Sequence, residues 1–184
     1  MNVGKAVSSR VTYGGLATLW CDENFQLKRW CVTQHCIFTD LYRISSKISL
    51  SLFILHVPVN YNEKKECWKS LSEFLEVNSS SNTVVTGDIN ISLAPSEKNG
   101  GLRGKDQFHD TVEELILSLD LNDIKPKSRR FTWTNNRVGS ANIASRLDMF
   151  LVHSSLLDGN SIISSKILPK LSFYHHPISL LFEK

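Results

Sequence analysis

The 184-residue sequence predicts a mixed α/β fold built in layers. Apolar residues alternate in some segments with the two-residue period of a strand, and in others they recur with the three- and four-residue spacing of a helix. The two kinds of segment follow each other along the chain, which is typical of layered α/β architectures. Hydrophobic residues make up 41% of the chain and charged residues 21%, as in ordinary globular domains. A chain of this length suits one folding unit, so we treat residues 1–184 as a single domain.

Composition excludes several classes of protein. No apolar run reaches the ~18 residues of a membrane span, and the first twenty residues lack the apolar stretch of a signal peptide. The cysteines show no metal-binding spacing and indicate reduced thiols in an intracellular protein, with nucleus and cytoplasm not distinguished. They are Cys21, Cys31, Cys36 and Cys67. A net charge of +3 permits contact with a polyanion but does not by itself predict one, and no protein partner can be inferred.

The clearest elements of the first half lie between residues 48 and 88. Ile48 to His56 is predicted as a strand that enters the core, and Asn60 or Asn62 is predicted to cap the helix that follows. The inward face of this helix is Trp68, Leu71, Phe74 and Leu75, and its wet face is Glu63, Lys64, Lys65, Glu66, Lys69 and Glu73. The β-branched run Thr83 to Thr86 stops at Gly87-Asp88, which places Asp88 at a strand end, where ligand crevices open in α/β sheets.

The second half continues the alternation after a glycine-containing loop. A second amphipathic helix is predicted around Asp110 to Leu119. The strand-like segments that follow are Phe131 to Thr134, Arg146 to Val152, Ser161 to Leu168 and Ile178 to Phe182. The four tryptophans lie in apolar runs and are predicted to be core residues rather than platforms for stacked bases. A basic cluster before residue 131 is interpreted as a solvated loop, with contact to a nucleic-acid backbone as the alternative.

Five short motifs follow one another in a recognisable order. They are Gly14 to Trp20 (G-G-L-A-T-L-W), Gly87 to Asn90 (G-D-I-N), Phe131 to Asn135 (F-T-W-T-N), Ser145 to Asp148 (S-R-L-D) and His175 to Ile178 (H-H-P-I). Together they resemble the endonuclease/exonuclease/phosphatase superfamily, and within it the endonuclease domain of plant non-long-terminal-repeat retrotransposons. The resemblance covers the chain from about residue 14 to its end. It implies a DNase I-like four-layer α/β sandwich, with two mixed or antiparallel sheets flanked by helices.

The resemblance also implies a reaction and the residues that perform it. Phosphodiester hydrolysis needs a positioned water and neutralisation of charge on the phosphoryl oxygens, which a hard divalent cation helps to supply. By resemblance, Asp88 orients or deprotonates the water and Asn90 hydrogen-bonds a phosphate oxygen. Asp148 fixes the tautomer of His175, and His175 contacts the scissile phosphate. The implied cofactor is Mg²⁺ and the implied substrate is DNA. The alternatives without catalysis are a turn for Asp88, a structural ion pair for Asp148 and an exposed loop for His175.

The sequence departs from the family pattern at several positions. Complete members carry an N-x-R-G strand and a Q-E-T segment, with the metal-binding glutamate, upstream of the G-G-x-A block. Here that block begins at Gly14, so we expect an N-terminally incomplete domain that lacks the first strand and helix. Tyr174 stands where the family has the aspartate of S-D-H, and His56 stands where it has a phosphate-holding tyrosine. His56 therefore remains a candidate phosphate contact, Met149 replaces a basic residue, and no metal site is expected to be intact.

These departures predict a hydrolase whose activity is lost or severely weakened. One alternative is a non-enzymatic remnant or interaction module that retains only the scaffold. Another is a phosphoesterase of a different branch of the superfamily, which the F-T-W-T-N and G-G-L-A blocks disfavour. A calcineurin-like phosphoesterase is excluded because the chain lacks that family's D-x-H and G-N-H-[DE] motifs. An in-frame search of the gene upstream of Met1 for N-x-R-G and Q-E-T would separate a truncated gene model from a genuinely short protein.

Overall fold

The computed structural model describes residues 2–8, 15–102, 104–158, 162–170 and 174–183. Thirteen strands and two α-helices are present in these residues. The strands are β1 (Asn2–Ser8), β2 (Gly15–Cys21), β3 (Phe25–Val32), β4 (Cys36–Arg43), β5 (Ile48–His56), β6 (Thr83–Asp88), β7 (Lys98–Asn99), β8 (Leu121–Asp123), β9 (Trp133–Thr134), β10 (Ala144–Ser145), β11 (Asp148–His153), β12 (Ile162–Ile167) and β13 (Ile178–Glu183). The helices are α1 (Tyr61–Asn78) and α2 (His109–Ser118).

A six-stranded mixed sheet organises the fold. Its strand order is β3-β4-β5-β6-β11-β8. Strands β5 and β6 are parallel, as expected for strands joined by the crossover helix α1, and the other neighbouring pairs are antiparallel. The carboxyl ends of β5 and β6 and the start of β11 therefore meet at one edge of this sheet.

Helix α1 begins where its capping residue predicts. The side chain of Asn60 accepts hydrogen bonds from the backbone N–H groups of Asn62 (3.0 Å) and Glu63 (3.3 Å), so Asn60 rather than Asn62 is the N-cap. The predicted inward face packs against the sheet, with Trp68, Leu71 and Leu75 buried. The wet-face prediction is wrong at one position, because Lys64 is only 7% exposed.

The main core lies between this sheet and the two helices. Seventeen buried residues form it, drawn from β4, β5, β6, β8, β11, α1 and α2 and from the segments beside them. They are Cys36, Phe38, Phe53, Leu55, Val57, Cys67, Trp68, Leu71, Leu75, Val85, Ile89, Ile91, Val112, Leu115, Leu121, Met149 and Leu151. Because residues on both sides of the G-D-I-N motif belong to it, the core fixes the strand end that carries Asp88.

Smaller sheets complete the layered arrangement. Strand β2 contacts β4 and β5, and β13 contacts β11. Among the described residues these outer strands form the pairs β1-β2 and β12-β13 and the three-stranded sheet β7-β10-β9. The predicted α/β class is confirmed, and the strands predicted near residues 48–56, 83–86, 131–134, 146–152, 161–168 and 178–182 are all present within two residues at most of their boundaries. The core prediction fails for Trp30, which is 51% exposed on the outermost strand of the six-stranded sheet.

None of the helices in the described part of the chain combines the length and apolar character that a membrane crossing requires.

Candidate active site

The backbone at residue 87, directly before Asp88, has a conformation and a close neighbour that require glycine. Its φ is +118°, a conformation that side chains with a Cβ rarely adopt. A Cβ at this position would lie 2.2 Å from the carbonyl oxygen of Leu55 on the neighbouring strand β5. The absence of a side chain thus lets β6 pair closely with β5 up to its last residue, Asp88.

The three strands that meet at this edge align three candidate side chains. Asp88 is the register partner of His56 on β5 and of Asp148 on β11. Register partners on adjacent strands project from the same face of a sheet. His56, Asp88 and Asp148 therefore form a row, although they are separated by 32 and 60 residues in sequence.

Asn90 folds back onto Asp88 through a tight turn. Its φ of 52° lies in the left-handed region, which asparagine tolerates better than most residues. The backbone N–H of Asn90 donates to Oδ1 of Asp88 (3.0 Å), and the side-chain Nδ2 donates to Oδ2 of Asp88 (3.2 Å) and to the carbonyl oxygen of Val57 (2.6 Å). The G-D-I-N motif thereby holds a carboxylate and an amide side by side.

His175 completes the cluster from a different part of the chain. Its Nδ1–H donates to Oδ2 of Asp148 (2.9 Å), which fixes the tautomer and leaves Nε2 facing Oδ2 of Asp88 at 3.8 Å. The side chains of Asp88 and Asp148 are 12% and 15% exposed, whereas that of His175 is 38% exposed. The imidazole is thus the solvent-facing member of an otherwise sheltered group.

Thr132 holds the two halves of this cluster together, a role that its position in the F-T-W-T-N motif did not reveal. Its hydroxyl oxygen accepts from the backbone N–H groups of Leu147 (2.9 Å) and Asp148 (3.0 Å), and its carbonyl oxygen accepts from His176 N–H (2.7 Å). Trp133 forms an isolated antiparallel bridge with His175. The segment therefore fixes the start of β11 and the histidine-bearing loop at the same time.

A buried charge network lies directly before Asp148. Arg146 is 2% exposed and donates to Glu97 (2.7 Å) and to both oxygens of Asp123, one of them at 2.9 Å. Glu97 is itself only 4% exposed and also accepts from Leu93 N–H (3.1 Å). The arginine of the S-R-L-D motif thus anchors the loop around residue 97 and strand β8 to the strand that carries Asp148. The sequence alone gives Arg146 no role.

Electrostatics distinguish the titratable groups of the site. Burial, reinforced by the negative charge of Asp148, raises the pKa of Asp88 to about 7. Burial alone would lower the pKa of His175, but its hydrogen bond to Asp148 and the charges of Asp148 and Asp88 raise it above the usual value. Partial desolvation and the neighbouring His35 and His175 lower the pKa of His56. Near neutral pH, Asp88 is therefore divided between its acid and carboxylate forms, while His175 keeps its proton to a higher pH than an ordinary histidine.

The remaining sequence candidates lie at the edges of this cluster. The His56 side chain is solvent-facing at the end of β5. Tyr174 is 59% exposed. Its backbone carbonyl oxygen accepts a hydrogen bond from Thr134 N–H at 3.1 Å. Gly14, where the G-G-L-A-T-L-W motif begins, lies outside the described residues.

The raised pKa of Asp88 predicts a pH-dependent stability. A carboxyl group with a folded-state pKa above its unfolded value contributes stability that is fully present below about pH 4 and is lost as the pH rises through about 7. His175, whose pKa is also raised, acts in the same direction at higher pH. Asp88→Asn cannot ionise, so between pH 4 and 8 we expect wild type to lose about 4 kcal/mol relative to this variant.

Urea unfolding of both proteins at several pH values measures this difference. Asp22→Asn, at an exposed position, is the matched control and should follow wild type across the range. If the stability of wild type and of Asp88→Asn changed with pH in parallel, the assignment of a buried carboxyl group with a raised pKa to Asp88 would be contradicted.

Comparison with solved structures places this geometry among known folds. The chain superposes on the endonuclease domain of TRAS1, a telomere-specific non-LTR retrotransposon, with a TM-score of 0.70, 13% identity and coverage of 97% of this chain and 78% of that one. It superposes on D. rerio TDP2 complexed with a single-strand DNA product with a TM-score of 0.66, 15% identity and coverage of 100% and 77%. It superposes on the Bacteroides thetaiotaomicron mannosyl-6-phosphatase Bt3783 with a TM-score of 0.63, 13% identity and coverage of 100% of this chain and 77% of that one.

The fold is therefore that of the endonuclease/exonuclease/phosphatase proteins, whose nuclease and phosphatase members share it. Among the three structures compared above, the retrotransposon endonuclease domain has the highest TM-score. No family model matches the sequence, and no curated protein sequence matches it either.

Proposed function

We propose that this chain is a retrotransposon-derived domain, ancestrally a divalent-metal-dependent hydrolase of DNA phosphodiesters, in which hydrolysis is lost or severely weakened. The observation that carries the proposal is the convergence of two hydrogen-bonded pairs, Asp88 with Asn90 and Asp148 with His175, which meet at one sheet edge where His175 Nε2 lies 3.8 Å from Oδ2 of Asp88. The similarity in fold to the TRAS1 endonuclease domain supports the DNA substrate. As before, we take the chain to be a single domain.

The chemistry of the cluster supports part of a hydrolytic mechanism. Asp88, with a pKa near 7, suits proton transfer to or from a water molecule at neutral pH. The protonated His175, oriented by Asp148, would present Nε2–H to a phosphoryl oxygen and offset the charge that develops there. His56 would supply a neutral donor to another phosphate oxygen. Asn90 would do the same on releasing one of its two amide hydrogen bonds, to Asp88 or to Val57. These roles require a nucleic-acid backbone to lie over the exposed face of His175.

The donor set does not fit a Mg²⁺ centre. Mg²⁺ prefers oxygen ligands in octahedral geometry, and the cluster offers it two carboxylates, Asp88 and Asp148, which do not converge with a third potential ligand among the described residues. Tyr174 provides no carboxylate at the position where the family has one. In the residues that the structure describes, the one group of three potential ligands close enough for a metal is on and beside the first turn of α2, His109, Asp110 and Glu113. It does not include the Asp88 cluster.

Tyr174 also supports the alternative of a non-enzymatic scaffold or interaction module, because it places an exposed aromatic ring beside His175 in sequence. A phosphatase of another branch is a further alternative, supported by the similarity in fold to the mannosyl-6-phosphatase. The lower TM-score of that superposition and the F-T-W-T-N block favour the nuclease lineage.

Thermal unfolding in the presence of metal tests the proposed loss of the metal site. A ligand stabilises a folded protein only when it binds the folded state in preference to the unfolded one. We expect Mg²⁺ at millimolar concentration to leave the Tm unchanged, with Ca²⁺ and added NaCl of equal ionic strength as controls. A dose-dependent rise in Tm that Asp88→Asn abolishes would show that a metal site survives and would contradict this part of the proposal.

A further inference from the structure

Lys64 is a buried lysine in the first turns of α1. Its side chain is 8% exposed, whereas the adjacent Glu63 and Lys65 are exposed, as their place on a polar helix face predicts. Burial of an ammonium group is costly unless the charge is paired and its hydrogens are bonded. The contacts of Lys64 must therefore offset that cost, and they lie on the side of α1 that faces the Asp88 cluster.

The ammonium group of Lys64 joins three segments of the chain. Nζ donates to the carbonyl oxygen of Asn90 at 3.0 Å and to Oδ2 of Asp106 at 3.4 Å, and it lies 6.0 Å from the centre of the Phe108 ring. Asp106 in turn accepts from Phe108 N–H (2.9 Å) just before α2 begins. Lys64 thus connects α1, the G-D-I-N turn and the start of α2.

The contact with Asn90 controls the direction of the turn. In the left-handed conformation of Asn90, the backbone N–H and the side-chain amide point to Asp88 while the carbonyl group points to α1. The carbonyl oxygen finds its partner in Lys64. Without that partner, a part-buried acceptor would lose its hydrogen bond and the turn would lose one of the interactions that hold Asn90 against Asp88.

We propose that Lys64 is a positioning residue of the Asp88 cluster, which acts through Asn90 and the Asp106 turn and does not contact the substrate. The proposal rests on the function proposed above, since it assigns the cluster a chemical role. The positive charge of Lys64 also acts on Asp88, where it opposes the rise in pKa that burial causes. Both the aim of the Asn90 amide and the protonation of Asp88 therefore depend on this lysine.

Nuclear magnetic resonance on three variants tests the proposal. Lys64→Met keeps the apolar stem and removes the charge, Lys64→Arg keeps the charge, and Lys65→Met removes an exposed charge one residue away. We expect Lys64→Met to raise the titration midpoint of the Asp88 carboxyl carbon by about 0.5 pH unit or more and to shift the side-chain amide signals of Asn90. Lys64→Arg should keep both the Asp88 midpoint and the Asn90 signals close to their wild-type values, and Lys65→Met should change neither.

An unchanged Asp88 midpoint and unchanged Asn90 signals in a folded Lys64→Met protein would overturn the proposal, even if the Tm falls. If Lys64→Met does not fold, Asp106→Asn decides the matter. It leaves the ammonium in place without its carboxylate partner, so the Asp88 midpoint should fall, and a midpoint that rises or stays constant would overturn the proposal. These titrations need neither metal nor DNA, so their outcome is distinguishable from failure of the proposed hydrolase ancestry.

Discussion

Arg146→Met is expected to lower the free energy of unfolding by about 3 to 5 kcal/mol. Arg146 is the partner that Glu97 and Asp123 share, and its removal leaves the almost fully buried Glu97 with only Lys125, at 3.2 Å, as a cationic partner. A buried carboxylate that loses its buried cationic partner keeps the cost of desolvation with less to offset it. The backbone N–H of residue 146 also donates to the carbonyl oxygen of Glu97 at 2.8 Å, so a displacement of Glu97 should be transmitted to the start of the strand that bears Asp148.

Urea unfolding of Arg146→Met measures this effect, with Arg137→Met as the matched control at an exposed position. The control should stay within about 0.5 kcal/mol of wild type. The double variant Arg146→Met/Glu97→Gln should be less destabilised than the sum of the two single variants, since the two side chains interact directly. Additive losses would show that the ion pair is not the source of the effect.

Gly87→Ala is expected to destabilise the protein by about 3 kcal/mol or more, through backbone strain and a steric clash together. The new Cβ would meet Leu55 O at 2.2 Å, and relief would require β5 and β6 to separate at the residues that hold His56 and Asp88. Two other glycines separate these causes. Gly139 has a φ of +62° but open space around it, and Gly104 has open space and no positive φ.

We therefore predict the order in which the three alanine variants lower the free energy of unfolding. Gly104→Ala should change the free energy of unfolding by less than about 0.5 kcal/mol and Gly139→Ala should lower it by about 1 kcal/mol, with Gly87→Ala far below both. Chemical denaturation measures all three. Equal losses of stability for Gly87→Ala and Gly139→Ala would mean that the clash with Leu55 is relieved without cost. That result would contradict the close pairing of β5 and β6 in the structure.

Periodicity located β5, β6, β11, α1 and α2 of the main core. It predicted neither β4, which supplies Cys36 and Phe38 to that core, nor the exposed strand β3. Helix α1 and strand β5 follow from their apolar spacing. Strand β3 does not, because it lies at the edge of the sheet, most of its side chains are exposed, and its pairing with β4 shifts between Leu27 and Arg29. Local sequence carries no signal for such a strand when its pairing with β4 is what defines it.

In the candidate site, too, local sequence predicted some residues and missed those that depend on long-range contacts. Motif order identified Asp88, Asn90, Asp148 and His175, and the structure brings these residues together. The register that aligns Asp88 with Asp148 is a long-range property, and so are the contacts of Thr132 and Lys64. Lys64 was assigned to a solvated helix face because its neighbours in sequence are charged, whereas its partners Asn90 and Asp106 are 26 and 42 residues away.

The proposed function is that of a hydrolytic centre which retains its Asp88, Asn90, Asp148 and His175 cluster without effective catalysis. Nicking of supercoiled plasmid in Mg²⁺ or Mn²⁺ tests it most directly, with an Asp88→Ala/His175→Ala double variant prepared in parallel to report any contaminating nuclease. We predict that the purified chain converts no more plasmid to the open-circular form than this variant does. Nicking by the wild-type chain that disappears in the double variant would contradict this proposal and identify an active endonuclease.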